Sequence, residues 1–185
     1  MSSPAGRQSQ RGVTLVELLV TLSIAVIVLT VGVSGMTTLV KRNTRAAEVN
    51  ALLGHLNFAR AQAIMRAADV IVCPVNTANP SAGCTLSKAA WANGYAVIDA
   101  DSGAVLRIEQ GSDTVTMTST ARGFRFQDDG TATNGHITVC DADDDAKTNA
   151  ARADDVLTPV EIIISPVGRV RVSDKDGSGN DPDCS

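Results

Sequence analysis

The residues able to do chemistry in this 185-residue chain are few, and their spacing sorts them. Four cysteines, Cys73, Cys84, Cys140 and Cys184, suit two disulfide bridges in an oxidising compartment. None is in C-x2-C spacing and both histidines lie elsewhere, which argues against zinc. Neither His55 nor His136 sits in a nucleophile motif, and there is no G-x-S-x-G and no phosphate loop. Catalysis, a cofactor and a metal therefore find no support, and the two histidines read as surface or packing residues. Arg169 and Arg171 are two apart on an expected strand, so both emerge on one face. That spacing can set two guanidinium groups against successive phosphates of a nucleic-acid backbone. Arg122, Arg125 and Lys175 are candidates to enlarge the patch, while Asp174, Asp176, Asp181 and Asp183 oppose it. The run 174–181 begins like a calcium loop but lacks the bidentate glutamate at the twelfth position, so a loop closed by Cys184 is the simpler reading. Glu17 is a lone carboxylate in an apolar run, a placement that costs on the order of 2.5–3.5 kcal/mol in a membrane helix.

The elements that must position these residues follow from composition and period. With 44% hydrophobic residues, 19% charged and a net charge of −4, the chain is not a disordered acidic tail. Three Phe, one Tyr and one Trp are too few for a platform that stacks successive bases. Residues 13–40 contain one charge, Glu17, and are long enough to cross a bilayer as a helix. An amphipathic pattern continues through Ala46, Val49, Leu53, Leu56, Ala63 and Ala67, widened by Leu52, Phe58, Ala59 and Ile64. One helix over about 14–68 is expected, apolar all round in its first half and one-sided in its second. Gly32 and Gly35 offer either a soft hinge or close helix packing. Beyond residue 68 the period becomes two, and strands are expected at 70–73, 95–98, 105–108, 115–118, 123–126, 137–140, 160–164 and 169–173. The segment 141–155, with six aspartates, reads as a solvated loop. The expected class is α+β, a long N-terminal helix packed against a C-terminal antiparallel β-sheet domain.

Arg11-Gly12-Val13-Thr14-Leu15-Val16-Glu17-Leu18 resembles the class III signal of type IV prepilins. The resemblance implies cleavage between Gly12 and Val13 by prepilin peptidase, N-methylation of Val13, and a Glu17 that meets the amine of a neighbouring subunit during assembly. It departs from the usual pattern in starting the mature chain with Val13 instead of Phe. Ala59-Arg60-Ala61-Gln62-Ala63, Val70-Ile71-Val72-Cys73, Trp91-x-x-Gly94-Tyr95 and Gly168-Arg169-Val170-Arg171 resemble the FimT/GspH family of minor pilins and pseudopilins. The organisation implied is a leader at 1–12, a transmembrane and filament-core helix at 13–40, its amphipathic continuation at 41–68 and a periplasmic β-rich domain at 69–185. The implied setting is the inner membrane and then a filament, with other pilin or pseudopilin subunits as partners. Gly168, Arg169 and Arg171 match the Gly-Arg-x-Arg motif through which FimT-like minor pilins contact double-stranded DNA during natural transformation. A structural H-type pseudopilin of type II secretion has no nucleic-acid partner. A third possibility is a soluble periplasmic domain released by ordinary signal peptidase. Three cysteine pairings are open; Cys73–Cys84 with Cys140–Cys184 is favoured, because the first closes a local loop and the second ties down a polar tail.

Overall fold

The computed structural model describes residues 13–80, 83–85, 87–88, 90–142, 159–176, 179–180, 182 and 184, and only the backbone within 30–38. Residues 1–12, where a leader is expected, residues 143–155 of the expected Asp-rich loop and 156–158 after it, and Asp181 and Asp183 lie outside the described residues. The chain forms two compact units, Met1–Leu39 and Val40–Ser185.

A single helix, α1 (Leu15–Arg66), runs through both units without a break at Gly32 or Gly35. Thr14 starts it: its hydroxyl accepts the Glu17 N–H at 3.3 Å and its carbonyl the Leu18 N–H at 3.1 Å, the pattern of an N-cap. At the other end the Ala68 N–H donates to Ala63 O and the Ala67 N–H to Ile64 O, with Ala67 at φ +49°. This is a Schellman ending built on alanine where glycine is usual. In the first unit the described apolar side chains, Leu15, Val16, Leu19, Leu22 and Ile27 among them, are all exposed. Among the described residues, no helix is long and apolar enough to cross a membrane.

In the second unit α1 buries Val49, Leu52, Leu56, Ala59 and Ala63, a three-and-four spacing. All five belong to the expected stripe, which is shorter than expected, since Ala46 and Ala67 are exposed and Ile64 remains half-exposed. Among the described residues eight antiparallel strands follow: β1 (Val70–Pro74), β2 (Gly94–Asp99), β3 (Val105–Gln110), β4 (Val115–Ser119), β5 (Phe124–Phe126), β6 (Gly135–Asp141), β7 (Val160–Ile164) and β8 (Val170–Ser173). They form two four-stranded sheets, β3-β2-β1-β5 and β4-β6-β7-β8, where the sequence suggested one. The division has a physical reason. The helix stripe, Val70, Val72, Val97, Phe124 and Phe126 from the first sheet, and Met117, Ile137, Val139, Ile162 and Ile164 from the second all share one core. Two inner faces closing on that core bury more apolar surface than one sheet could offer to a single helix.

Trp91, on a 3-10 turn (Trp91–Asn93) before β2, fills the centre against Tyr95 and Phe124 at centroid distances of 6.0 and 5.8 Å. A smaller cluster of Cys73, Val75, Ala96 and Ile98 lies on the other face of the first sheet. Bridges join Cys73 to Cys84 and Cys140 to Cys184. Asp141 departs from the solvated-loop expectation. β6 extends to it, and its carboxylate is buried 3.1 Å from the guanidinium of Arg45 on α1. A buried carboxylate needs such a partner, and Arg45 supplies it.

Candidate functional site

Two places hold the residues that the sequence singles out. The first is the start of α1. Val13 is exposed just before the N-cap, and Glu17 occupies the third helical position, where a carboxylate is favoured by the positive end of the helix. Thr14-x-x-Glu17 is the spacing of a capping box, and the helix begins at Leu15, two residues past the expected cleavage point. Gly12 lies outside the described residues.

The second place is the β7–β8 hairpin. Pro166, Val167 and Gly168 form its three-residue loop. The Gly168 N–H donates to Ser165 O at 2.8 Å, and the Ser165 N–H to Arg169 O at 3.0 Å. The Ser165 hydroxyl accepts the Arg169 N–H at 3.1 Å, locking the turn further. Gly168 has φ +72°, as a three-residue hairpin ending in a left-handed residue requires. Space imposes the same choice, because a Cβ there would stand 1.9 Å from Gly130 O. Arg60 closes the junction: its Nε donates to Gly130 O at 3.2 Å and its Nη2 to Val167 O at 3.0 Å. The Ala132 N–H reaches Pro166 O at 2.9 Å. The glycine of the Gly-Arg-x-Arg motif thus serves a packed junction between α1, the turn after β5 and the hairpin.

The arginines behave differently from the glycine. Arg169 immediately precedes β8 instead of lying within it, and Arg171 lies on β8 opposite Ile163. Both are exposed, while Val170 between them packs against the core. Neither guanidinium has an acidic partner among the described residues. Arg125 lies on β5 of the first sheet, held by Asp69 at 3.0 Å, and Arg122 stands in the bend before that strand. They do not form one cluster with Arg169 and Arg171 through any described contact. The outer face of the second sheet carries His136, whose Nε2 lies 3.4 Å from the buried Glu161 carboxylate.

His55 is fully buried on α1, edge-on to Tyr95 at 5.1 Å, with Nδ1 2.8 Å from Ala51 O. Burial raises the Tyr95 phenol well above its ordinary value, with the charges of Glu109 and then Glu48 adding to the shift. The Asp99 carboxyl is held below its usual range by the backbone N–H and hydroxyl of Ser102. No group of three or more His, Cys, Asp or Glu suited to a metal exists among the described residues.

Sequence reasoning missed Arg60 as a clamp, although a lone arginine among alanines at 59–63 was a signal. It also missed Arg45 and Asp141 as a pair, for which the sequence gives no sign at a separation of 96 residues.

A family model for the prokaryotic N-terminal methylation motif matches residues 7–33, and one for the type II transport protein GspH matches residues 48–158. Two crystal structures of the type IV minor pilin FimU of Pseudomonas aeruginosa share the fold at 20% identity. They give TM-scores of 0.51 and 0.52, covering 77% of this chain and 99% and 94% of theirs. The minor pseudopilin EpsH from the type 2 secretion system of Vibrio cholerae gives a TM-score of 0.46 at 10% identity, over 69% of this chain and 94% of its own. No curated protein sequence matches. Matched over more than half of its length, the chain belongs to the GspH family of pilin-like subunits, which are structural proteins and not enzymes.

Proposed function

We propose that the chain is a minor pilin of a type IV pilus, made as a precursor and cut by prepilin peptidase between Gly12 and Val13. N-methylation of Val13 follows, and the apolar run 13–40 holds the subunit in the inner membrane until it is drawn into a filament. The observation that carries this reading is the methylation motif over residues 7–33, which runs into the first part of α1, where the described apolar side chains are exposed on every side. Neighbouring subunits or lipid would cover that exposed surface. Glu17 offsets its cost by meeting the Val13 amine of a neighbour and so sets the axial register. The domain at 69–185 faces outward. Mass spectrometry of the mature N-terminus tests this: N-methyl-Val13 is the expected terminus, and a start after Ser34 would refute it.

Within that reading, Arg169 and Arg171 contact duplex DNA through its phosphates, supported by two exposed guanidinium groups without acidic partners among the described residues. Two contacts imply weak binding that fades steeply with salt. Anisotropy titration of the full chain at low salt, beside Arg169→Gln and Arg171→Gln, tests it. Equal binding by parent and variants removes the DNA role. The family match over residues 48–158 favours a second reading, a structural pseudopilin of type II secretion with no nucleic-acid partner. That reading predicts loss of secretion, not of DNA uptake, when the gene is deleted.

A further inference from the structure

The second sheet ends at β8, and the hydrogen-bond phase of the hairpin decides what that edge offers. Ser165 and Arg169 form a hydrogen-bonded pair. In an antiparallel ladder such pairs alternate with non-hydrogen-bonded ones. The pairs Ile163–Arg171 and Glu161–Ser173 therefore commit the N–H and C=O groups of Arg171 and Ser173 to β7. Val170 and Val172, opposite Ile164 and Ile162, turn theirs outward, and no described residue takes them up. Uncommitted groups in a row are a template for another strand.

The side chains decide which strand fits. Arg169 and Arg171 project from the outer face, unpaired among the described residues. Val172 lies on the inner face and is 45% exposed, although Ile162 opposite it is fully buried. A second copy of β8 added antiparallel would crowd the arginines of both copies on one face, and like charges across strands are destabilising. Self-pairing is thereby disfavoured and an opposite charge selected. Arg60 and the Gly168–Gly130 contact hold the hairpin in place, so little order has to be created on docking.

We propose that the β8 edge docks an extended acidic segment of a partner protein as an added strand. Asp or Glu on the outer face of that segment meets Arg169 and Arg171, and an apolar residue on its inner face covers Val172. This use of the arginines depends on the backbone of Val170 and Val172, which phosphate contact does not.

The test uses the 15N-labelled full chain in detergent micelles with the peptide acetyl-Glu-Val-Glu-Val-Glu-amide, and its lysine-for-glutamate counterpart as control. The Val170 and Val172 amides should exchange freely in the chain alone and become protected with the acidic peptide only. Val172→Pro gives up an N–H that β7 does not use, so the sheet should persist and peptide binding should be lost. Its DNA titration should match the parent's. Should that variant fail to fold, Arg169→Glu combined with Arg171→Glu reads the same point by reversing the preference to the lysine peptide. The proposal is overturned by a folded Val172→Pro chain that still binds the acidic peptide, by equal binding of both peptides, or by amides of Val170 and Val172 that do not respond.

Discussion

Replacing Gly168 by alanine separates what the glycine does from what the arginines beside it do. At φ +72° an alanine pays for the left-handed conformation, about 1–2 kcal/mol. Its Cβ would lie 1.9 Å from Gly130 O and 2.9 Å from Arg60 Nε. The first distance is more than about 1 Å short of an ordinary carbon–oxygen contact, so the Gly130 turn must retreat. Retreat stretches the Arg60–Gly130 hydrogen bond, now 3.2 Å, and costs about another 1–2 kcal/mol. The expected loss is about 3 kcal/mol in all. Gly103 provides the control: it has φ +70°, but nothing lies within 4 Å of its missing Cβ. Gly103→Ala should therefore pay the conformational cost alone. Arg169→Gln and Arg171→Gln, at exposed positions, should stay within about 0.5 kcal/mol of the parent. The assay is urea unfolding of the full chain in micelles, reading midpoints at unchanged slope. If Gly168→Ala costs no more than Gly103→Ala, the packed junction does not explain the glycine.

Three further perturbations follow from the same geometry. Arg45→Ala or Asp141→Ala breaks a buried ion pair from one side and should cost about 3–5 kcal/mol by thermal unfolding, whereas Arg45→Met combined with Asp141→Leu should recover most of it. Ala67→Gly relieves the left-handed helix ending and should stabilise by about 1 kcal/mol in the same measurement; a loss would mean that the Schellman ending is wrongly drawn. The Tyr95 hydroxyl has no hydrogen-bond partner among the described residues, so Tyr95→Phe should be neutral or stabilising by about 1 kcal/mol at pH 7. Its raised folded value means that its contribution is full below the unfolded value of about 10 and is lost as pH rises beyond it. The parent's unfolding midpoint should thus fall more steeply above pH 10 than that of Tyr95→Phe, and parallel alkaline limbs would contradict the assignment.

The strands with one solvated face were legible because they alternate around buried positions: Val115 and Met117 face inward while Thr116 is exposed, and Phe124 and Phe126 flank an exposed Arg125. Alternation reports which side chains share a face, but not which strand lies alongside. β5 joins β1 past three intervening strands, and β4 lies outside the first sheet and pairs with β6. Neither pairing leaves a local mark, so the division into two sheets was not readable. The helix stripe was legible over Val49–Ala63 and drawn too far at its ends, since alanines at 46 and 67 satisfy the period without needing burial. Asp141 was grouped with its acidic neighbours because composition averages over a run, whereas the end of β6 falls inside that run. At the hairpin the arginines were visible as a pair, but the requirement for Gly168 arises from Gly130 and Arg60, which are distant in sequence.

The Cys140–Cys184 bridge also bears on the order of events in a nascent chain. A chain that emerges N-terminus first presents Cys73 and Cys84 together, 11 residues apart, well before the rest. Their early union leaves Cys140 with no cysteine to meet until Cys184, the penultimate residue, comes free. Of the three pairings that four cysteines allow, two require Cys73 or Cys84 to wait for a later arrival. Vectorial emergence therefore selects the native pair without a proofreading step, and the second bridge can close only after the last strands have been delivered.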